Sequence, residues 1–195
     1  MELFAKFFSV LVLCVAIMAH QVVALNLLSG DLIHGKETLP RGNTLINKVC
    51  AKSSTRDLCI EVLSSDPLTS PIADLTDLAI ISLRVAAKNA SGILTDTKVL
   101  IDDASLDPDV QQGLADCKAN ILDAASQLED TIASLLTGLQ DDAQRWLKAA
   151  LATIDTCDVS IPGDDDILSV ESTVFRKLCN IAITVTKLLA NPDRL

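Results

Sequence analysis

The sequence has few aromatic residues and no cluster of basic ones. Its 195 residues include no tyrosine, one tryptophan and four phenylalanines, and 26 acidic residues outnumber 16 Lys and Arg for a net charge of −10. Proteins that bind nucleic acids neutralise phosphates with clustered Lys and Arg and stack bases on aromatic side chains. The composition therefore predicts no nucleic-acid partner. An acidic surface favours a basic partner instead, although the same charge could serve only to keep the domain soluble.

Histidine is also scarce, which argues against catalysis. Only His34 lies beyond residue 24, and it is in a stretch where nothing would hold it in fixed geometry as a general base. Paired carboxylates could in principle cleave a glycosidic bond, but few aromatic residues are present to stack a sugar ring. The cysteines are not in the close pairs that usually bind zinc. We therefore predict no enzyme activity, no cofactor and no metal.

The N-terminus has the pattern of a secretory signal peptide. Lys6 is followed by an apolar run over residues 7–18, and Val22-Val23-Ala24 supplies the small residues that signal peptidase reads, so we predict cleavage after Ala24. The run of about twelve residues is shorter than the roughly twenty that cross a bilayer, and no later stretch of that length is free of charge, so we predict no membrane span. The mature protein should be secreted, into an oxidising compartment that permits disulfides.

The mature chain is long enough for one domain. Removing residues 1–24 leaves 171 of the 195 residues and takes away one acid and one base, so the net charge stays at −10. Residues 25–42 contain three glycines and a proline without a sustained period, which predicts a flexible leader. The folded domain is predicted over residues 43–190.

The clearest helix is predicted over residues 108–138. Asp107 and Pro108 form an N-terminal start signal, and Gly138 marks the end. Apolar residues at steps of three or four place one stripe along about eight turns: Val110, Leu114, Cys117, Ile121, Ala125, Leu128, Ile132, Leu135 and Leu139.

The cysteines indicate a helical bundle held by disulfides. A second helix is predicted over residues 141–157, capped by Asp141 or Asp142, with Cys157 on its apolar stripe. Two antiparallel helices joined near Gly138 would bring Cys117 opposite Cys157, because each lies about twenty residues from the turn. A disulfide there would stabilise the fold by roughly 4 kcal/mol in the chain-entropy model.

The other cysteines complete this interpretation. A second disulfide between Cys50 and Cys59, which closes a short loop, would contribute about 2.6 kcal/mol in the same chain-entropy model. Cys179 is left over, and its apolar helical neighbours Phe175 and Ala182 predict a buried, inert thiol.

Two more long helices are predicted, giving an all-α fold. One covers about residues 71–103, and the other carries a stripe from Val170 to Leu188 and ends before Pro192. The sequence therefore predicts an up-and-down four-helix bundle preceded by a helical hairpin over residues 43–64, with two disulfides. A secreted bundle that binds a small apolar ligand is an alternative, which a filled core would exclude.

Several short stretches together resemble the plant invertase and pectin methylesterase inhibitors. They cover about residues 43–190 and comprise Leu45-Ile46 through Cys50, Arg56-Asp57-Leu58-Cys59, Ser65-Asp66-Pro67, Ala73-Asp74-Leu75, Asp107-Pro108, Leu114-Ala115-Asp116-Cys117, Ala149-Ala150-Leu151 and Cys157. The resemblance implies a four-helix bundle with an N-terminal hairpin, disulfides joining first to second and third to fourth cysteine, and a free fifth cysteine. It also implies a one-to-one complex that covers the substrate cleft of pectin methylesterase, or of cell-wall or vacuolar acid invertase, without chemistry by the inhibitor.

The resemblance favours pectin methylesterase as the target. Well-studied invertase inhibitors carry a Pro-Lys-Phe triplet near the link before the fourth bundle helix, where this chain has Leu139-Gln140-Asp141-Asp142. For pectin methylesterase the family uses the exposed faces of the second and third bundle helices. Candidate contacts there are Asp74, Asp77, Arg84, Lys88, Asp116 and Asp123, each of which could equally belong to a solvated face. The protein is then expected in the apoplast or cell wall, with the vacuole also possible.

One further site is a modification motif. Asn89-Ala90-Ser91 is an N-glycosylation sequon, and in a secreted protein Asn89 could be glycosylated. Its predicted position on a helix makes glycosylation less favourable.

Overall fold

The structure, a computed structural model, describes residues 41–65, 73–163 and 167–195, and the side chains of residues 41–43 are outside this description. The predicted signal peptide and all but the last two residues of the predicted leader also lie outside it. These described residues form six α-helices and no strand: α1 Arg41–Cys50, α2 Arg56–Ser64, α3 Leu75–Ile101, α4 Pro108–Leu136, α5 Gln140–Ser160 and α6 Ser169–Ala190. A 3-10 helix over Pro192–Arg194 follows α6.

The four long helices form the predicted bundle. Helix α3 packs against α4, α4 against α5, α5 against α6, and α6 closes the ring against α3. Each helix thus lies beside the next one in sequence, which is the up-and-down arrangement that short links produce. The all-α prediction is confirmed.

Helix α4 begins and ends at the predicted signals. The Asp107 carboxylate accepts a hydrogen bond from the backbone N–H of Asp109 at 2.9 Å, with Pro108 in the first turn. At the other end Gly138 adopts φ +75°, while its N–H and that of Leu139 donate to the carbonyls of Leu135 and Ser134. This is the Schellman motif, which satisfies carbonyls at a helix end.

Two details of the predicted helices are wrong. Leu139 lies beyond the end of α4 and is 53% exposed, whereas the stripe placed it in the core. Helix α5 begins at Gln140, one residue after Leu139, so Asp141 and Asp142 occupy its first turn and neither is the N-cap. Acids in a first turn are still favourable, because the helix dipole places partial positive charge there.

The start of helix α6 also differs from the predicted stripe. Val170, the first residue of the predicted stripe, is 68% exposed, and Ser172 and Phe175 are buried instead. From Leu178 onward the predicted residues are buried. The bundle interior is filled by large aliphatic side chains around a single Phe175, which gives no support to the small-ligand alternative.

The disulfides join α4 to α5 and close the hairpin. Cys117 is bonded to Cys157, and Cys50 to Cys59, so the pairing is the one expected from the sequence. In the hairpin, α1 contacts α6 and α2 contacts α3. Helix α1 begins at Arg41, so the domain boundary predicted at residue 43 falls inside this helix.

The α5–α6 pair has no disulfide and is joined by polar contacts. Arg176 on α6 donates to Asp155 at 2.8 Å and also binds Asp158, both on α5. The Ser172 hydroxyl donates to the same Asp158 carboxylate at 2.7 Å. Because Ser172 is buried and Arg176 is partly buried, these bonds are better shielded from water than ordinary surface ion pairs.

Helix α3 is long and apolar enough to pass a length-and-composition test for a membrane span, with a mean hydropathy of 1.2 over its best window. Buried residues make up 44% of that window. Its apolar character follows from packing, since one face of α3 contacts α4, α6 and the hairpin.

Gly113 on α4 is required by the close approach of the chain that leaves α5. A Cβ at this position would lie 2.8 Å from Ile161 Cα and 2.9 Å from Pro162 Cδ, and would also overlap the Ser160 carbonyl. Backbone atoms cannot give way as a flexible side chain can. Gly92 on α3 provides a contrast, because nothing lies within 4 Å of the position that a Cβ would take there.

We predict that Gly113→Ala lowers the free energy of unfolding by about 1–3 kcal/mol, the usual cost of overpacking. Gly92→Ala is the matched control and should raise it by about 0.5–1 kcal/mol, because alanine loses less backbone entropy in a helix. Urea unfolding followed by circular dichroism measures both. Equal effects of the two substitutions would contradict the steric role of Gly113.

Cys179 is a buried free thiol on α6, as the sequence predicts. Burial raises the pKa of Cys179 from 9.0 to about 12, because the thiolate would lose its hydration. Such a thiol is a weak nucleophile in the folded protein.

We predict that the Cys179 thiol destabilises the fold between pH 9 and pH 12. In that window the unfolded chain releases the thiol proton and the folded chain retains it, so stability present below pH 9 is lost as pH rises. The loss should approach about 1.4 kcal/mol per pH unit. Urea unfolding of wild type and Cys179→Ala across this range isolates the effect, and parallel curves for the two proteins would refute it.

Candidate functional site

The helix faces predicted to bind a target do not form a catalytic or metal centre. In residues 41–65, 73–163 and 167–195 there is no group of three or more His, Cys, Asp or Glu side chains placed to hold a metal ion. His34 lies outside these residues. The arrangement is instead a set of charged ridges on the outside of a rigid bundle, which can bind a partner surface.

Asp74 and Asp77 are engaged in capping α3. The Asp74 carboxylate accepts from the backbone N–H of Thr76 at 2.8 Å and of Asp77 at 3.0 Å, while Asp77 accepts from the Asp74 N–H at 3.0 Å. This reciprocal capping box fixes the start of the helix. Both side chains are exposed, so they can contact a partner only while they also hold the cap.

Arg84 and Lys88 continue the same face of α3. Arg84 lies seven residues after Asp77, and Lys88 lies four residues after Arg84, which keeps the three side chains on one stripe of the helix. Both are exposed, and neither forms an ion pair with any residue in the described part of the chain. Their charges are therefore available to a partner.

Asp116 and Asp123 belong to an acidic ridge on α4. Aspartates recur there at every seventh residue, at Asp109, Asp116, Asp123 and Asp130, and all four are exposed. Seven residues are nearly two helical turns, so the carboxylates rise along one side of α4 in steps of about 10.5 Å. Asp116 accepts a hydrogen bond from Gln112 at 3.0 Å. Only two of the four aspartates are among the contacts predicted from the sequence, although the seven-residue spacing could have revealed all of them.

The link from α4 to α5 forms an exposed apolar corner. Leu136 is 68% exposed, Leu139 is 53% exposed, and Trp146, in the second turn of α5, is 42% exposed. Asp142 beside them forms an ion pair with Arg145. Sequence reasoning missed this corner, because the apolar periodicity placed Leu139 in the core and gave Trp146 no role.

The sequon asparagine is partly enclosed by the bundle. Asn89 lies in the middle of α3, and its side-chain oxygen is buried without a hydrogen-bond partner among the described residues. Ala90 is buried, and the Ser91 hydroxyl donates to the Ala87 carbonyl at 3.1 Å. Glycan attachment at Asn89 stays a prediction from the sequence.

Comparison with known proteins identifies the family. The family described as plant invertase/pectin methylesterase inhibitor matches residues 44–185. A pectinesterase inhibitor from Actinidia deliciosa is 28% identical over 153 residues, covering 75% of this chain and 80% of its own. A protein of Platanus acerifolia whose name assigns it to the invertase inhibitors is 29% identical over 154 residues, covering 74% of this chain and 85% of its own.

Solved structures share the fold. A crystal structure of a mutant form of a pectin methylesterase inhibitor from Arabidopsis superposes with a TM-score of 0.60 at 23% identity, covering 72% of this chain and 93% of that one. A second pectin methylesterase inhibitor, from Arabidopsis thaliana, gives a TM-score of 0.56 at 22% identity, with 75% and 96% covered. The chain therefore belongs to the plant invertase/pectin methylesterase inhibitor family, and it is an enzyme inhibitor and not itself an enzyme.

Proposed function

We propose that this protein is a secreted inhibitor of pectin methylesterase that forms a one-to-one complex and covers the substrate cleft of its target. The choice of target rests on the α4–α5 link, which has acidic residues where the invertase inhibitors have a basic one. Inhibition of this kind requires no reaction at the inhibitor, only a surface complementary to the target.

The α4–α5 link lacks the basic Pro-Lys-Phe triplet that well-studied invertase inhibitors carry at this place. Gln140, Asp141 and Asp142 stand in the first turn of α5, and Arg145 in the next turn is paired with Asp142. Carboxylates at a helix N-terminus are favourable for the helix itself, so these acids have a structural role there. A Lys-containing wedge aimed at an invertase active site has no counterpart in this segment.

The exposed faces of α3 and α4 supply the alternative contact surface. The α4 ridge of four aspartates is acidic, and Arg84 and Lys88 on α3 add two cations without an ion-pair partner among the described residues. Complementary charge across an interface speeds encounter and selects partners more than it adds affinity. A target with a basic rim around its cleft fits the acidic ridge.

Acid invertase is the second candidate, and the apolar corner favours it. Leu136, Leu139 and Trp146 are exposed side chains in a chain with few aromatic residues, and a buried Trp is a common anchor at protein interfaces. If these residues enter a cleft, the acids around them would form the rim of the contact.

The disulfides support a secreted location. Two disulfides lie within the described domain, and disulfide bonds persist in oxidising compartments. Together with the signal-peptide pattern of residues 1–24, they support secretion to the cell wall, where pectin is the enzyme's substrate.

We predict that the oxidised mature protein inhibits a plant pectin methylesterase and leaves an acid invertase active when both are titrated in parallel at about pH 5–6. The variant Leu139→Ala/Trp146→Ala removes two of the three exposed apolar side chains of the corner and should inhibit the methylesterase as well as wild type does. If the wild-type protein inhibited only invertase and the variant did not inhibit it, the choice of target would be overturned. Inhibition of neither enzyme by disulfide-intact protein would refute both candidates.

We predict that the acidic ridge contributes to binding through its charge. The variant Asp116→Lys/Asp123→Lys should raise the inhibition constant by about tenfold at low salt, because like charges would face a basic target. The matched control Asp57→Lys/Glu61→Lys makes the same change in net charge on α2 and should alter it less than about twofold.

Salt provides the second measurement for the same variants. Raising salt from about 50 to about 300 mM should weaken wild-type inhibition, because attraction between exposed charges is screened over about a Debye length. The same screening should strengthen inhibition by the ridge variant, whose lysines a basic target repels. A wild-type inhibition constant that does not change with salt would contradict the electrostatic account.

A further inference from the structure

The end of the bundle where α5 begins and α6 ends carries an open groove. Its volume is about 810 Å³, and the hairpin turn, α5, α6 and the 3-10 helix all contribute side chains to its lining. Leu188, almost fully buried, supplies apolar surface at this groove. The groove is distant in sequence from the acidic ridge of α4 and is not used by the contacts proposed above.

The groove is basic in a protein that is otherwise acidic. Lys52 from the hairpin turn, Lys187 from α6 and Arg194 from the 3-10 helix line it, against one acid, Asp193. None of the three cations forms an ion pair or side-chain hydrogen bond with a described residue. Three such cations thus share one groove in a chain whose net charge is −10.

The cations of the groove lie near the C-terminal ends of helices, which explains part of their clustering. Lys187 lies in the last turn of α6, where a positive charge compensates the partial negative charge of the helix C-terminus. Lys52 follows the end of α1 by two residues, and its backbone N–H donates to the Val49 carbonyl, so the C-terminus of α1 also favours a cation there. Arg194 ends a 3-10 helix of only three residues, whose dipole is small. Gln144 comes from the second turn of α5, whose N-terminus adds partial positive charge and partly offsets the end of α6.

The remaining lining suits a hydrated, hydroxyl-bearing anion. Gln144 and Asn191 present neutral donors and acceptors, and Thr184, whose hydroxyl donates to the Asn180 carbonyl at 2.9 Å, offers an acceptor. None of the lining residues is aromatic, so a sugar would be held by its charge and its hydroxyl groups and not by stacking. The volume is within the range of about 300–1,000 Å³ that is usual for small-molecule sites. Because the groove is open, it can admit an internal segment of a chain as well as a small ion.

We propose that this groove binds a short segment of polygalacturonate through its carboxylates, with Lys52, Lys187 and Arg194 as the cationic contacts. The proposal rests on the proposed function, because hydrolysis of a pectin methyl ester by the target enzyme leaves a carboxylate and methanol. The ligand is thus the product of the inhibited reaction. Binding this product would hold the inhibitor on pectin that the enzyme has already de-esterified. The acidic ridge of α4 would then stay available to contact the enzyme.

Isothermal titration of the mature, oxidised protein with an oligogalacturonate of defined length tests the proposal without any enzyme. Binding is expected at low salt, and the fully methyl-esterified oligomer of equal length should bind at least about tenfold more weakly because it has no charge. Lys52→Gln/Lys187→Gln should weaken binding by about tenfold. Asp193→Asn should tighten it by a few fold, because the substitution removes the one opposing charge.

Controls separate a site from general electrostatics. Lys98→Gln/Lys177→Gln removes two exposed charges elsewhere and should change the affinity by less than about twofold. Equal weakening by both double variants, equal binding of the esterified oligomer, or equally tight binding of inorganic phosphate would overturn the proposal. Since no enzyme is present, these results are independent of the inhibition assay, where Lys52→Gln/Lys187→Gln should inhibit methylesterase normally.

Discussion

The disulfide between Cys117 and Cys157 is the constraint on which the remaining geometry depends. It fixes α4 antiparallel to α5 at a point about twenty residues from their link, so the register of the two helices cannot slip. Thr153 on α5 reinforces the pair by donating to Gln127 on α4 at 3.1 Å. With this pair fixed, the acidic ridge, the apolar corner and the start of α5 have set positions on the surface.

Rigidity is useful to a binding surface that has few aromatic anchors. Interfaces usually gain most of their affinity from buried Trp, Tyr and Arg, and this chain has no Tyr and a single Trp. A surface composed mainly of aspartates and aliphatic residues gains less from each contact. It therefore benefits from being ordered before binding, because less conformational entropy is then lost in the complex. The two disulfides and the Arg176 contacts with Asp155 and Asp158 supply that order at three different helix pairs.

The sequence predicts those parts of the fold that depend on local chemistry or on sustained periodicity. The ends of α4 could be predicted because their signals act within a few residues. Asp107 supplies the cap acceptor, Pro108 has a fixed φ, and Gly138 adopts a positive φ. The apolar period fails for Val170 and Leu139, because at helix ends a residue can satisfy the period and still lie beyond the neighbouring helix. The basic groove could not be predicted, because Lys52, Lys187 and Arg194 are brought together only by the packing of the hairpin against α6.

The separation of charge also explains how one small domain could engage an acidic polymer and an enzyme that acts on it. A protein of uniform negative charge would be repelled by de-esterified pectin, and one of uniform positive charge would bind it everywhere. Here the aspartates of α4 form a ridge along one helix, whereas the cations of the groove are gathered where α5 begins and α6 ends. At an ionic strength of about 0.1 M the Debye length is about 10 Å, so charges of the ridge and of the groove that lie farther apart than this act largely independently. Charge-reversal on α4 should then alter inhibition alone, and neutralising the groove should alter polymer binding alone.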